Sequence, residues 1–176
     1  MAILKVARLG HPVIRTPAQP IPKERIGSAE IQRLIDDMIE TMYEYDGVGL
    51  AAPQIHLSKQ IAVIEAKDSR RYPGEGPVPL TVLINPKILQ ASKKLVEDWE
   101  GCLSVNEFRG RVPRAESLEA EAYNRKGEKV KIQAHGFFAR IIQHECDHLA
   151  GRVFLDRMPH LATLTHLQEF VRYWQD

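Results

Sequence analysis

Residues 137–151 read FFARIIQHECDHLAG, and this stretch predicts the helix around which we expect the fold to be built. Its apolar and histidine side chains recur with the helical period of about 3.6 residues, at Phe137, Ile141, His144, His148 and Leu149. Gly151 stands just past them, where glycine commonly ends a helix. We therefore predict one α-helix that ends before Gly151.

The predicted helix carries a His-Glu-x-x-His pattern at residues 144–148. Because residues four apart lie on one helical face, His144 and His148 are directed at a common point and predict two metal ligands. Glu145 flanks that point, so its carboxylate reaches a bound water without being a ligand. The alternative is a pair of ordinary histidines on a surface or core helix.

A catalytic metal site needs a third protein ligand and an open position. The residues after the helix offer no His or Glu before Asp156, whereas Cys102 follows a glycine in a predicted strand or tight turn. Cys102 is therefore the candidate third ligand. Cys146 points about 200° around the helix axis from His144 and is interpreted as a small buried hydrophobic residue. A disulfide between Cys102 and Cys146 stays open at this stage.

Residues 47–54 read GVGLAAPQ, with two glycines and several small side chains. Such a stretch lets extended backbone approach another chain closely. The alternative is that it only ends a helix and leads into the next strand.

The remaining pattern predicts an α+β fold, with antiparallel or mixed sheets packed around the motif-bearing helix and a helix near each end of the chain. The N-terminal amphipathic helix follows a Ser28 cap and presents Ile31, Leu34, Ile35, Met38, Ile39 and Met42. Strands are predicted at residues 60–66 and 81–84, and a hairpin within residues 118–132. The C-terminal helix is predicted from Leu161, Leu164, Leu167, Phe170, Val171 and Trp174.

Two segments are predicted to lack regular structure. Residues 1–22 contain four prolines and are expected to run extended over the surface, with little chemistry. Residues 67–79 are polar and rich in Gly and Pro, which predicts an exposed loop and suggests a flap near a peptide-binding edge.

Composition predicts a single folded domain spanning residues 1–176, because 44% of the residues are hydrophobic and 27% are charged. The formal net charge of +1, with acidic and basic residues interspersed, gives no nucleic-acid signal. We find no secretory signal and no membrane-spanning run, so we expect a cytoplasmic protein.

Three segments together resemble the peptide deformylase family. Residues 47–54 match G-x-G-[apolar]-A-A-x-Q, residues 100–104 (EGCLS) match E-G-C-[apolar]-S, and residues 143–151 match Q-H-E-x-D-H-[apolar]-x-G. All three are complete and in order, and the resemblance extends over about residues 4–158. The departure is Asn106, where the family commonly has proline, which puts the local turn in question.

The resemblance implies a metal-dependent amide hydrolase that removes the formyl group from the N-terminal N-formyl-methionine of newly synthesised proteins and releases formate. It implies that Cys102, His144 and His148 bind the metal and that Glu145 is the general acid–base. It favours Fe²⁺, although a Cys/His₂ set also suits Zn²⁺, Ni²⁺ or Co²⁺. The implied partners are N-formyl-methionyl nascent peptides, with action at the ribosome and no membrane.

The resemblance also implies roles around the metal. Gln54 and the backbone N–H of Leu103 would stabilise the oxyanion. The substrate peptide would pair as an added strand with backbone groups of Val48, Gly49 and Leu50. Further substrate contacts are implied for Arg109 and, as walls of a methionine pocket, for Phe137 and Ile141.

Two other classes of function compete with this hypothesis. A zinc peptidase is disfavoured by the missing ligand after the helix. A non-catalytic binding module stabilised by a metal would bind the ion without turnover.

Overall fold

A computed structural model describes residues 2–67 and 76–175, which form two antiparallel sheets and three α-helices. The five-stranded sheet has the order β1-β2-β3-β6-β7 and consists of β1 (Gly49–Ala51), β2 (Ile61–Ala66), β3 (Val78–Ala91), β6 (Ser117–Tyr123) and β7 (Lys129–His135). The three-stranded sheet has the order β4-β5-β8 and consists of β4 (Leu95–Gly101), β5 (Phe108–Ala115) and β8 (Thr165–His166). The predicted α+β class is confirmed.

The first helix, α1 (Ala29–Glu44), begins and ends where the sequence predicted. The Ser28 hydroxyl accepts a hydrogen bond from the Ile31 N–H at 3.4 Å, and the helix stops before Gly47. Its apolar face packs against β1 and β2 and forms one buried cluster with them. This helix therefore packs against the glycine-rich segment at residues 47–54.

The second helix, α2 (Gly136–Leu149), carries the His-Glu-x-x-His pattern and contacts strands of both sheets. Its apolar side chains belong to a buried cluster shared with β2, β3, β6 and β7. Gly151 ends this region with φ +73°, and a Cβ on it would lie 2.8 Å from the Arg15 carbonyl oxygen. Glycine is needed there for both reasons.

The third helix, α3 (Leu167–Tyr173), is shorter than predicted. Leu161 lies in a 3₁₀ turn, Leu164 packs near Phe154, and Thr165–His166 form β8 beside β5. Pairing with β5 therefore excludes Thr165 and His166 from the helix, and Leu161–Thr163 form a separate 3₁₀ turn before them.

The loop predicted at residues 67–79 ends earlier than expected, because Val78 is buried and already belongs to β3. Residues 68–75, on which the flap hypothesis falls, lie outside the described residues. None of the helices in the described ranges combines the length and apolar character needed to cross a lipid bilayer.

The N-terminal segment differs from the prediction of an extended surface chain. Within residues 1–22 it includes the 3₁₀ helix Pro12–Arg15 and buries Val6, Ala7, Ile14 and Ile21. The prolines restrict the backbone without keeping the apolar side chains out of the core.

Candidate active site

Cys102, His144 and His148 come together between α2 and the end of β4. The His148 Nε2 atom lies 3.2 Å from Cys102 Sγ and 3.2 Å from His144 Nε2. One ligand atom from each of the three residues lies within 4.8 Å of the other two. A thiolate and two imidazoles are suitable ligands for a divalent transition metal, so the donor set fits such an ion.

The orientation of His144 supports the same conclusion. Its Nδ1 is hydrogen-bonded to Glu100 Oε2 at 2.9 Å, which leaves Nε2 on the side of the cluster. Carboxylate partners of this kind fix the ring orientation of metal-binding histidines.

Within the described ranges, His148 Nδ1 and Glu145 Oε2 are buried atoms without a hydrogen-bond partner.

The electrostatic environment distinguishes the thiol from the carboxyl group. Burial alone would raise the pKa of Cys102, but the adjacent His148 and His144 outweigh it and hold that pKa well below its usual value. Burial raises the pKa of Glu145 instead. The lowered pKa favours the thiolate form of Cys102, which a metal ligand requires. The raised pKa makes Glu145 a better proton acceptor, which a general acid–base requires.

Glu100 is a positioning residue that the sequence reasoning did not single out. Besides His144, it accepts hydrogen bonds from Arg114 at 2.9 and 3.0 Å and from Arg140 at 2.8 Å. The interactions with His144 and Arg114 lower its pKa despite its burial. The sequence could have indicated this role, because Glu100 is the first residue of the E-G-C motif that contains Cys102.

The charge of Arg140 is neutralised inside the fold. Its guanidinium binds Glu100 and also donates to the backbone oxygens of Val112 at 2.9 Å and Val96 at 2.7 Å. Arg140 therefore joins α2 to both long strands of the three-stranded sheet.

The predicted oxyanion residues lie beside the cluster. The Gln54 Oε1 atom accepts from the Ala51 N–H at 2.8 Å, which directs Nε2 to within 3.5 Å of Cys102 Sγ. Leu103 begins a 3₁₀ helix, Leu103–Val105, so its N–H has no partner within that helix. Asn106 follows with φ −67°, an angle that proline also adopts, so the turn is kept.

The two cysteines are free thiols, which settles the question of a disulfide. Cys146 is partly buried against the cluster shared by α2 and the five-stranded sheet, in agreement with its interpretation as a packing residue. Burial raises its pKa to about 12, so it stays a neutral thiol at physiological pH.

β1 is the edge strand of the five-stranded sheet. The Val48 carbonyl accepts from the Glu65 N–H at 3.1 Å on the β2 side. Because hydrogen-bonding groups alternate along an antiparallel strand, the backbone groups of Gly49 face the open edge. Gly49 also touches the catalytic candidate, since a Cβ on it would lie 2.2 Å from Glu145 Oε1.

Replacing Gly49 by Ala is expected to lower kcat for formyl peptides by about 10-fold or more, since a 1 Å displacement of a catalytic group can cost about 10²-fold. Glu145 is only 2% exposed and has little room to move from the added methyl group. Gly27→Ala is the matched control, because a Cβ on Gly27 would meet nothing within 4 Å. Equal kcat values for the two variants would show that the contact between residue 49 and Glu145 does not affect catalysis.

A cavity adjoins the cluster and brings several predicted substrate residues together. Its walls include Gly47, Val48, Gly49, Glu100, Gly101, Leu103, Phe137, Arg140, Ile141, His144 and Glu145. Leu50 does not line it, because its side chain is fully buried toward α1. Arg109 is also absent from the walls: it is 7% exposed, and its guanidinium lies over Gly101.

The chain is similar over most of its length to known deformylases. A family model of polypeptide deformylases matches residues 3–163. Peptide deformylase 2 of Pseudomonas syringae is 44% identical over 156 residues, covering 89% of this chain and 87% of that protein. Peptide deformylase 1 of Clostridium acetobutylicum is 46% identical over 158 residues, covering 90% of this chain and 96% of that protein.

Solved structures agree with these relatives. The crystal structure of a class I type b peptide deformylase from Acinetobacter baumannii with bound Met-Ala-Ser has a TM-score of 0.87 and 38% identity, and the match covers 89% of this chain and 99% of that one. A peptide deformylase from Synechococcus elongatus in complex with actinonin has a TM-score of 0.81 and 38% identity, with 91% of this chain and 81% of that one covered. The sequence motifs, the metal-binding cluster and these matches together establish that the chain belongs to the peptide deformylase family.

Proposed function

We propose that the chain hydrolyses the formyl amide of N-formyl-methionyl peptides, with Cys102, His144 and His148 as metal ligands and Glu145 as general acid–base. Deformylation is the activity of the family to which the chain belongs. The observation that carries the residue assignment is the convergence of the three ligand atoms within 4.8 Å, beside a buried Glu145 that lies against Gly49 of the edge strand β1.

A divalent metal held by Cys102, His144 and His148 would supply the Lewis acidity that makes a water nucleophilic near neutral pH. Glu145 removes a proton from that water and delivers it to the leaving nitrogen. The water oxygen first adds to the formyl carbon, and the formyl C–N bond then breaks as the oxyanion collapses, which yields formate and a free amino terminus. Gln54 Nε2 and the Leu103 N–H donate hydrogen bonds to the formyl oxygen as its negative charge develops.

The substrate peptide binds along β1 as an added strand on the backbone groups of Gly49, whereas Val48 and Leu50, named with it from the resemblance, turn theirs toward β2. The open edge of that strand supports this role, since Gly49 presents its N–H and C=O there.

The methionine side chain enters the adjoining cavity. Phe137 and Ile141 reach it from α2, and Val48 and Leu103 complete its apolar wall. Arg109 shapes this wall indirectly, since its guanidinium covers Gly101 at the end of β4.

The proposed native metal is Fe²⁺, with Zn²⁺, Ni²⁺ and Co²⁺ as ions that the same ligands accept. The substrates are nascent chains as they leave the ribosome in the cytoplasm, and residues 1–176 act as a single catalytic domain. Elemental analysis of protein purified without oxygen tests the metal, and one iron per chain is the expected result.

The reaction is tested with formyl-Met-Ala-Ser as substrate and acetyl-Met-Ala-Ser as control. We expect one formate and one free amino terminus per turnover, with both peptide bonds intact and slower or no release of acetate. Cleavage between residues would identify a peptidase. Metal-loaded protein without turnover would identify a binding module, and either result would refute the proposed function.

A further inference from the structure

The N-terminal residues 7–9 contact both of the segments that carry the proposed oxyanion donors. The Ala7 N–H donates to the Gln54 carbonyl at 2.7 Å, and the Leu9 N–H donates to the Ser104 carbonyl at 2.9 Å. Between them, Arg8 Nη1 donates to the Leu103 carbonyl oxygen at 2.5 Å. Residues 7–9 therefore hold two segments that are about fifty residues apart in sequence at a fixed separation.

The Leu103 carbonyl that Arg8 contacts belongs to the same peptide group as the Ser104 N–H. That N–H donates to Cys102 Sγ at 3.3 Å. In a planar trans peptide the C=O and N–H point in opposite directions, so Arg8 lies on one side of this group and the sulfur on the other. A single peptide unit thus links an exposed guanidinium to a buried thiolate.

We propose that Arg8 is a positioning residue for the Cys102 sulfur and acts through the peptide group of Leu103 and Ser104. A hydrogen bond from a charged donor is roughly twice as strong as a neutral one. It polarises the peptide group, strengthens the opposite N–H as a donor to the thiolate, and fixes its direction. Such contacts to a ligand change how much electron density it gives the metal. The inference rests on the proposed role of Cys102 as a ligand.

The test uses the Co²⁺-substituted protein, in which a thiolate ligand produces a sulfur-to-cobalt charge-transfer band in the near ultraviolet. Arg8→Met removes the charge and the donor while keeping an unbranched side chain. Lys5→Met is the matched control, since it removes the same charge from the same exposed segment. Arg8→Lys restores a charged donor.

We expect the band of Arg8→Met to move to longer wavelength, because a less stabilised sulfur lone pair needs less energy to transfer an electron. The band should keep its wild-type position in Lys5→Met and return toward it in Arg8→Lys. The kcat of the metal-loaded Arg8→Met enzyme should fall by about 10-fold, the lower end for groups beyond the ligands, with KM unchanged.

The outcomes separate this inference from the proposed function. A wild-type Co²⁺ protein without the band would refute Cys102 as a ligand. A wild-type band that keeps its wavelength in Arg8→Met would overturn the role of Arg8 alone, whatever the activity does. If the Met variant does not fold, Arg8→Gln replaces it; it removes the charge but keeps a neutral donor, so a smaller shift in the same direction is expected, and an unchanged band overturns the inference equally.

Discussion

Glu145→Gln is expected to keep the metal and to lower kcat for formyl-Met-Ala-Ser by about 10²-fold to 10⁴-fold, the usual contribution of general acid–base catalysis. The amide keeps the size of the side chain but neither removes nor delivers the proton. Metal content should stay at one ion per chain, because the three ligand atoms come from other residues. Elemental analysis and formate release, measured on the same preparation, test both halves of the prediction.

The matched control for this variant is Glu169→Gln, an exposed position on α3. It makes the same chemical change and should leave kcat and metal content unaltered. Loss of metal in Glu145→Gln would make Glu145 a ligand. Near-normal turnover with metal bound would mean that another group moves the proton.

Cys102→Ala is expected to abolish stable metal binding, and with it deformylation. Removal of the thiolate leaves two neutral imidazoles, which supply neither the third ligand nor the negative charge that holds a divalent ion. The metal content after gel filtration in a weak chelator should fall from one ion per chain to a small fraction.

Cys146→Ala is the comparison for this variant, because it removes the other cysteine from a position two residues before His148. Its sulfur packs against the core and lies outside the group of ligand atoms, so metal content should remain at one ion per chain. Full occupancy in Cys102→Ala would show that the third ligand has been wrongly assigned.

The local parts of the site were predictable because helical geometry is local. The spacing of His144 and His148 places both imidazoles on one face of α2 without any knowledge of the rest of the chain. The same holds for α1, whose cap at Ser28 and apolar period were both visible in the sequence. The family motifs then led to Cys102, which helical geometry alone does not connect to α2.

The predicted C-terminal helix is present, but it begins later than its apolar spacing suggested. Apolar spacing at residues 161–174 describes which side chains can share a helical face, but it contains no information on neighbouring strands. Thr165 and His166 pair with Phe108 and Arg109 of β5, and α3 begins only after this pair, at Leu167. Contacts between distant segments outweigh local propensity in such cases.

The N-terminal segment also makes a contact that the sequence did not predict. The sequence shows prolines and a scattered arginine, and nothing in that pattern connects Arg8 to Leu103. The hydrogen bond between them exists because the folded chain brings the two segments together. Glu100 and Arg140 likewise meet across forty positions.

The sequence by itself determined the family and the α+β class, and it predicted the ligand types and the acid–base residue, because each depends on motifs or on periodicity within a few turns of chain. Only the tertiary structure decided which groups orient those residues: Glu100 on His144, Gly49 against Glu145, and Arg8 behind the Cys102 loop. The physical reason is that a hydrogen bond or a van der Waals contact depends on distances of a few ångströms between atoms, and chain folding sets these distances independently of separation in sequence.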